Sequence, residues 1–143
     1  MYKAYKPALD AVYAKFSGRK AAPGQKSFMS REEWSDLCSQ AGLINDLFPA
    51  RDVDLTYCLA MSLRQDEQRE YKHMEMTFVE FLEALGRACD KASLPPPGKE
   101  GKMTAEAMLA QALKTKIENA MPALLKLCPK SVLDACGAKK GRE

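Results

Sequence analysis

The chain has a single histidine, His73, and no C-x-x-C pair among its five cysteines. One histidine removes most catalytic triads and almost all histidine-based metal sites. The cysteines (Cys38, Cys58, Cys89, Cys128 and Cys136) are odd in number and far apart. They imply neither a disulfide framework nor a zinc cage, and they read as reduced thiols on apolar helical positions. The eight glycines are scattered, so no phosphate-cradling loop is built from them. No apolar run approaches the roughly 18 residues of a membrane span. The opening Met1-Tyr2-Lys3-Ala4-Tyr5-Lys6-Pro7 has neither a signal-type apolar stretch nor a glycine at position two. The expectation is a cytoplasmic protein that is not an enzyme and uses no cofactor.

Charge of one sign is also scarce. The net charge is +3, and the basic stretch Lys139-Lys140-Gly141-Arg142 is short, so no nucleic-acid partner is expected. What is present is a globular balance: 46% hydrophobic and 29% charged residues over 143 positions, enough for one domain with a core.

Helical periodicity dominates. Tyr5, Leu9, Val12, Tyr13 and Phe16 recur at intervals of three and four and predict a helix ending at Ser17-Gly18. Ser30-Arg31-Glu32-Glu33 is a capping box that opens a second helix, which runs to about Gln40 and is stopped by Gly42. A third helix follows Phe48-Pro49, with Val53, Leu55, Leu59, Ala60 and Leu63 available for burial. Thr77-Phe78-Val79-Glu80 is a second capping box, and its helix carries Phe81, Leu82, Leu85 and Ala88. After the Pro95-Pro96-Pro97-Gly98 linker, residues 103–136 are amphipathic, with a bend expected at Pro122. Lys114, Lys116 and Lys126 are assigned there to polar positions.

An internal repeat organises the first part. At an offset of 47 residues, Met29-Ser30-x-x-Glu33-Trp34 aligns with Met76-Thr77-x-x-Glu80-Phe81. The same offset sets Val12 on Leu59 and Phe16 on Leu63, which predicts that the incoming helices correspond too.

This pattern of helix, loop, apolar residue, capping box and helix resembles the EF-hand. The resemblance covers residues 5 to 92, about two-thirds of the chain. It implies an all-α fold with paired hands in a four-helix cup. The first hand spans about 5–42 and the second about 50–92, within a unit 1–94, followed by linker 95–102 and a docked helical segment 103–136. The segment Met76 to Leu85 is similar to one in ciliary and flagellar proteins of protists. In that family a loop of about twelve residues ends on a glutamate that binds calcium with both oxygens. Here Glu33 is the seventeenth residue after Phe16 and Glu80 the seventeenth after Leu63. Ser17, Arg19 and Arg64 stand where ligands belong, so no metal site is expected; the weak candidates are Asp66, Glu67, Glu70 and Glu80.

Ser30, Glu33, Thr77 and Glu80 are therefore assigned as capping residues, and Met29, Trp34, Met61, Met76, Phe81 and Leu85 as an apolar groove for a partner protein's amphipathic helix. Leu109, Leu113, Ile117, Met121 and Leu124 form a tail stripe expected to fold back onto the hands. The reading that results is a calcium-independent interaction module, in a cytoskeletal or flagellar setting. Its alternatives are a calcium sensor using the second hand alone, and a microtubule- or membrane-surface binder using the basic C-terminal helix.

Overall fold

A computed structural model describes residues 2–19, 21–61 and 75–134. Asp66, Glu67, Glu70 and His73 lie outside these residues. The described chain is all-α, with six helices in order: α1 (Tyr2–Phe16), α2 (Arg31–Gln40), α3 (Ala50–Ala60), α4 (Phe78–Ala92), α5 (Ala105–Leu109) and α6 (Leu113–Leu125). Residues 130–134 add a final helical turn. Among the described residues no helix is long and apolar enough to cross a membrane.

Both capping boxes form. The Ser30 hydroxyl accepts the Glu33 N–H and the Glu33 carboxylate accepts the Ser30 N–H; Thr77 and Glu80 repeat this at α4. Each box satisfies orphan donors of its helix start, a contribution of about 1 kcal/mol per cap. At the other end of α2, Gly42 takes φ +68°, and Leu43 donates to the Cys38 carbonyl in the left-handed stop that glycine makes easy. α4 closes on Ser93 at φ 46°, a conformation disfavoured for a residue with a Cβ. Its hydroxyl is anchored on the Asp90 carbonyl at 2.7 Å, and the residue is fully buried.

α3 has no side-chain cap, because Pro49 stands at its N-cap position. Asn45 organises the entry in its place. Its Oδ1 accepts the Leu47 and Phe48 N–H groups, and its Nδ2 donates to the Ala92 carbonyl at 3.0 Å. One amide thus ties the α2–α3 connection to the end of α4.

The core is a single cluster. α1 contributes Ala8, Leu9, Val12 and Phe16, α2 contributes Trp34, Leu37 and Cys38, and α4 contributes Phe81, Ala84, Leu85, Ala88 and Cys89. α3 buries Val53, Thr56, Tyr57 and Ala60, which corrects the expectation for Leu55 and Leu59. Those leucines are 45% and 53% exposed, because the helix is rotated so that its 53/56/57/60 face points inward.

α6 packs chiefly on α4, with α1 as its second wall. Ile117, Met121 and Leu124 are buried, but Leu109 and Leu113 of the stripe are about half exposed. Leu109 lies on α5, which a break at Ala110–Ala112 separates from α6, and Leu113 is the first residue of α6. Pro122 does not end α6, which continues to Leu125.

Polar groups hold this docking. Lys116, assigned to the polar face, is 5% exposed and donates to the Asp90 carbonyl and carboxylate at 3.2 and 2.9 Å. A cation at the α4 C-terminus also meets the negative end of that helix. Asn119 donates to the Leu94 carbonyl and to Gln111, and Gln111 donates to Leu94 as well. Farther along, the Cys128 thiol reaches the Ala8 carbonyl and Lys15 reaches the Leu127 carbonyl.

Candidate functional site

The two repeat motifs meet. Met29 and Met76 form one antiparallel bridge, each donating its N–H to the other's carbonyl at 3.0 Å. Both side chains are fully buried.

Each bridge carbonyl accepts a second hydrogen bond that the sequence reading did not foresee. Tyr13 of α1 donates its hydroxyl to the Met76 carbonyl at 2.8 Å, and Tyr57 of α3 donates to the Met29 carbonyl at 3.1 Å. Tyr13 and Tyr57 are 44 residues apart, as are Leu9 and Val53, Val12 and Thr56, and Phe16 and Ala60; Tyr13 is half-buried and the other seven are buried. The incoming helices therefore correspond at 44 residues, and the outgoing helices at 47. This corrects the single offset: Glu80 is the twentieth residue after Ala60, so the second loop is three residues longer than the first. The detectable signal was tyrosine at matching places ahead of each motif. It was obscured because Tyr13 also fits an apolar stripe.

Glu33 stands in the first turn of α2, at the end of the first loop, and is 4% exposed. Its Oε1 accepts the Arg19 N–H at 2.8 Å and its Oε2 accepts the Ser30 N–H at 2.7 Å. Both carboxylate oxygens are engaged by main chain. Arg19 also places its guanidinium 3.2 Å from Asp36 and 4.8 Å from the centre of the Phe16 ring. Gly18 makes this approach possible. It takes φ +71° and donates to the Phe28 carbonyl, and a Cβ there would collide with Ser27 at 2.4 Å. Glu80, the counterpart, is 6% exposed and accepts the Thr77 N–H at 3.0 Å.

The residues assigned to an apolar groove lie elsewhere than expected. Met29, Trp34, Met76, Phe81 and Leu85 are all fully buried, and Met61 is partly buried at the end of α3. These side chains fill the space between the helices. Trp34 donates its Nε1–H to the Val53 carbonyl and the Thr56 hydroxyl, both at 3.2 Å, and its ring meets Phe81 edge-on at 6.1 Å. The Tyr13 ring lies 5.5 Å from both Phe78, which it meets edge-on, and Phe81, to which it is tilted.

The tyrosines and thiols packed here are held in their protonated forms. Burial pushes Tyr2 and Tyr13 up to about 12, with nearby carboxylates (Glu83 for the first, Glu80 and Glu33 for the second) adding to the effect. Burial likewise raises Cys38, and it pushes Cys89 up to about 12. A buried thiol held protonated is a packing group and a poor nucleophile. Cys58 departs from the core assignment, since it faces outward on α3. Among the described residues no three histidine, cysteine or acidic side chains are grouped to hold a metal ion.

No family model, curated protein or solved structure matches this chain.

Proposed function

We propose that this chain is a non-catalytic protein-interaction module built on a degenerate pair of EF-hands, whose first loop is closed by main-chain donors in place of calcium. The observation that carries the reading is the state of Glu33. The resemblance gives this carboxylate the task of gripping an ion with both oxygens, and here both oxygens grip backbone N–H groups. A loop that also carries Arg19 and Lys26 repels a divalent cation. The bridge between Met29 and Met76, with a tyrosine on each carbonyl, supports the pairing of two such units.

The consequence is a constitutive shape. In a calcium sensor the ion opens the cup, and binding shifts a population between two packings. A cup already filled by Trp34 and Phe81 has no ion to respond to in its first loop, so the partner meets the outside of the module. Calcium titration of the full chain by two-dimensional NMR tests this. The expected result is no shift at Arg19, Ser30 or Glu33 below about millimolar calcium. Micromolar binding abolished by Glu80→Gln would replace the reading with a sensor that works through its second loop.

A further inference from the structure

We propose that the groove along the outer face of α4 is a docking site for an amphipathic, acid-bearing helix of a partner protein; this rests on the reading of the chain as an interaction module. Val79, Leu82, Glu83, Gly86, Arg87 and Asp90 are spaced by three and four residues and form one stripe along α4, on the face opposite its core residues. Tyr2 of α1 forms one wall, and Leu113 and Ile117 of α6 form the other, around a space of about 610 Å³. The stripe extends over about 16 Å of helix axis, the length that three turns of an incoming helix occupy.

Three features fit this occupant. Val79 is 75% exposed and Leu113 49% exposed, so large apolar side chains stand uncovered at both ends of the groove. Gly86 lies in the floor with an ordinary negative φ, where the backbone itself does not demand glycine. An alanine Cβ there would press on the Tyr2 hydroxyl at 3.1 Å, the group that donates to the Leu82 carbonyl at 3.0 Å. Glycine therefore seats the tyrosine wall and lowers the floor, at a cost to helix propensity.

The third feature is charge, and it chooses the partner's sign. Within the groove Glu83 is paired with Arg87, and Asp90 with Lys116. At the α1 end a recess of about 150 Å³ continues from Tyr2 and Leu82 to Phe78, bordered by Lys3 and Lys6. Lys6 is shared with Asp10 at 2.7 Å, whereas Lys3 has no carboxylate partner among the described residues. The uncompensated charge at the mouth is positive. A carboxylate on the partner helix, one turn beyond its apolar anchors, completes the pairing.

The test titrates the isotope-labelled full chain with a designed amphipathic peptide of about four turns, leucine on one face and glutamate beside it, against a twin with lysine for glutamate. Expected are amide shifts at Val79, Leu82, Gly86 and Leu113, and binding of the glutamate peptide about tenfold tighter at low salt. Val79→Glu and Leu113→Glu, both at exposed positions, should each weaken binding about tenfold with the melting temperature unchanged. Lys3→Glu should reverse the preference between the twins, and Leu59→Glu on α3 should change nothing. Shifts confined to the Leu55/Leu59 face, equal binding of the twins, or no shift at all would overturn the proposal. Repeating the titration with calcium and with chelator separates the two ideas. Docking at α4 only with calcium present sinks the calcium-independent reading and keeps the groove. Calcium-indifferent binding elsewhere sinks the groove and keeps that reading.

Discussion

The two repeat units meet at their bridge almost symmetrically, yet differ in what they do on either side of it. The first unit, α1 and α2, ends in a ten-residue helix, and its loop is closed on Glu33. The second, α3 and α4, ends in a fifteen-residue helix that buries seven residues and receives α6. Incoming positions that carry Val12 and Phe16 in the first unit carry Thr56 and Ala60 in the second. The hydroxyl of Thr56, where the first unit has a methyl of Val12, accepts the Trp34 N–H together with the Val53 carbonyl. The difference teaches a division of labour: one unit keeps the loop shut, and the other builds surface.

The largest test of this division removes its asymmetric centrepiece. Trp34→Ala should cost about 3–5 kcal/mol, since it leaves a cavity in the core. Urea unfolding of the variant beside Phe81→Ala, its repeat counterpart, measures whether the two halves contribute alike. Equal losses would say that the extra hydrogen bonds of the indole add nothing to the packing of a large aromatic.

Next in size is the closed loop. Glu33→Ala should cost about 2–3 kcal/mol, because it leaves the Arg19 and Ser30 N–H groups without their charged acceptor. Amide exchange gives the specific readout. Arg19 and Ser30 should lose protection together while the Leu37 and Cys38 amides inside α2 keep theirs. Loss of protection throughout α2 would mean that Glu33 is a helix cap and nothing more.

Two part-buried tyrosines, Tyr13 on the bridge and Tyr2 on the Leu82 carbonyl, give a smaller, pH-dependent effect. Tyr2 and Tyr13 are raised from an ordinary value near 10 to about 12. A raised value means that the folded state holds the proton more tightly, so this stability is complete below about pH 10 and is lost as pH rises through about 12. Phenolate absorbance should therefore rise in step with unfolding. Tyr13→Phe should flatten that alkaline loss and cost about 1 kcal/mol at neutral pH, by leaving the Met76 carbonyl with the Met29 N–H alone.

How much of this was legible follows from the range of each signal. Capping boxes are local, and Ser30 with Glu33 and Thr77 with Glu80 declared both helix starts from four residues each. The all-α class followed from periodicity in the same way. Which face of α3 turns inward was not legible, because Val53, Leu55, Leu59 and Ala60 fit two overlapping stripes; the choice is made by Tyr57 reaching a carbonyl 28 residues back. The apolar residues assigned to a groove lie in the buried cluster or, for Met61, against it, and hydrophobicity alone does not tell an open groove from a filled core. Lys116 misled for a similar reason, since a lysine is assigned to water until an acceptor such as Asp90 is brought beside it by packing. The Arg19 donor to Glu33 was hidden too, because it is a backbone N–H, a group every non-proline residue carries.

The smallest expected effect decides the register of the repeat. An offset of 47 sets Leu59 as the counterpart of Val12, whereas an offset of 44 sets Thr56 there. The two alignments assign opposite fates to Leu59. If it matches Val12, which is 1% exposed, its truncation opens a core cavity and costs about 2–5 kcal/mol. At 53% exposure on the outer face of α3, beside Leu55 and Cys58, it loses little burial and the change stays within about 0.5 kcal/mol. We expect the second result for Leu59→Ala, and a clear loss for Val12→Ala, measured by denaturant midpoints at unchanged slope. Thr56→Val should also destabilise although it preserves volume, since it removes an acceptor of the Trp34 N–H and leaves that donor with the Val53 carbonyl alone. A strong loss at Leu59 combined with indifference at Thr56 would restore the single offset. The pairing of Tyr13 with Tyr57 across the bridge would then be a coincidence of two hydroxyls and no longer the mark of a repeated unit.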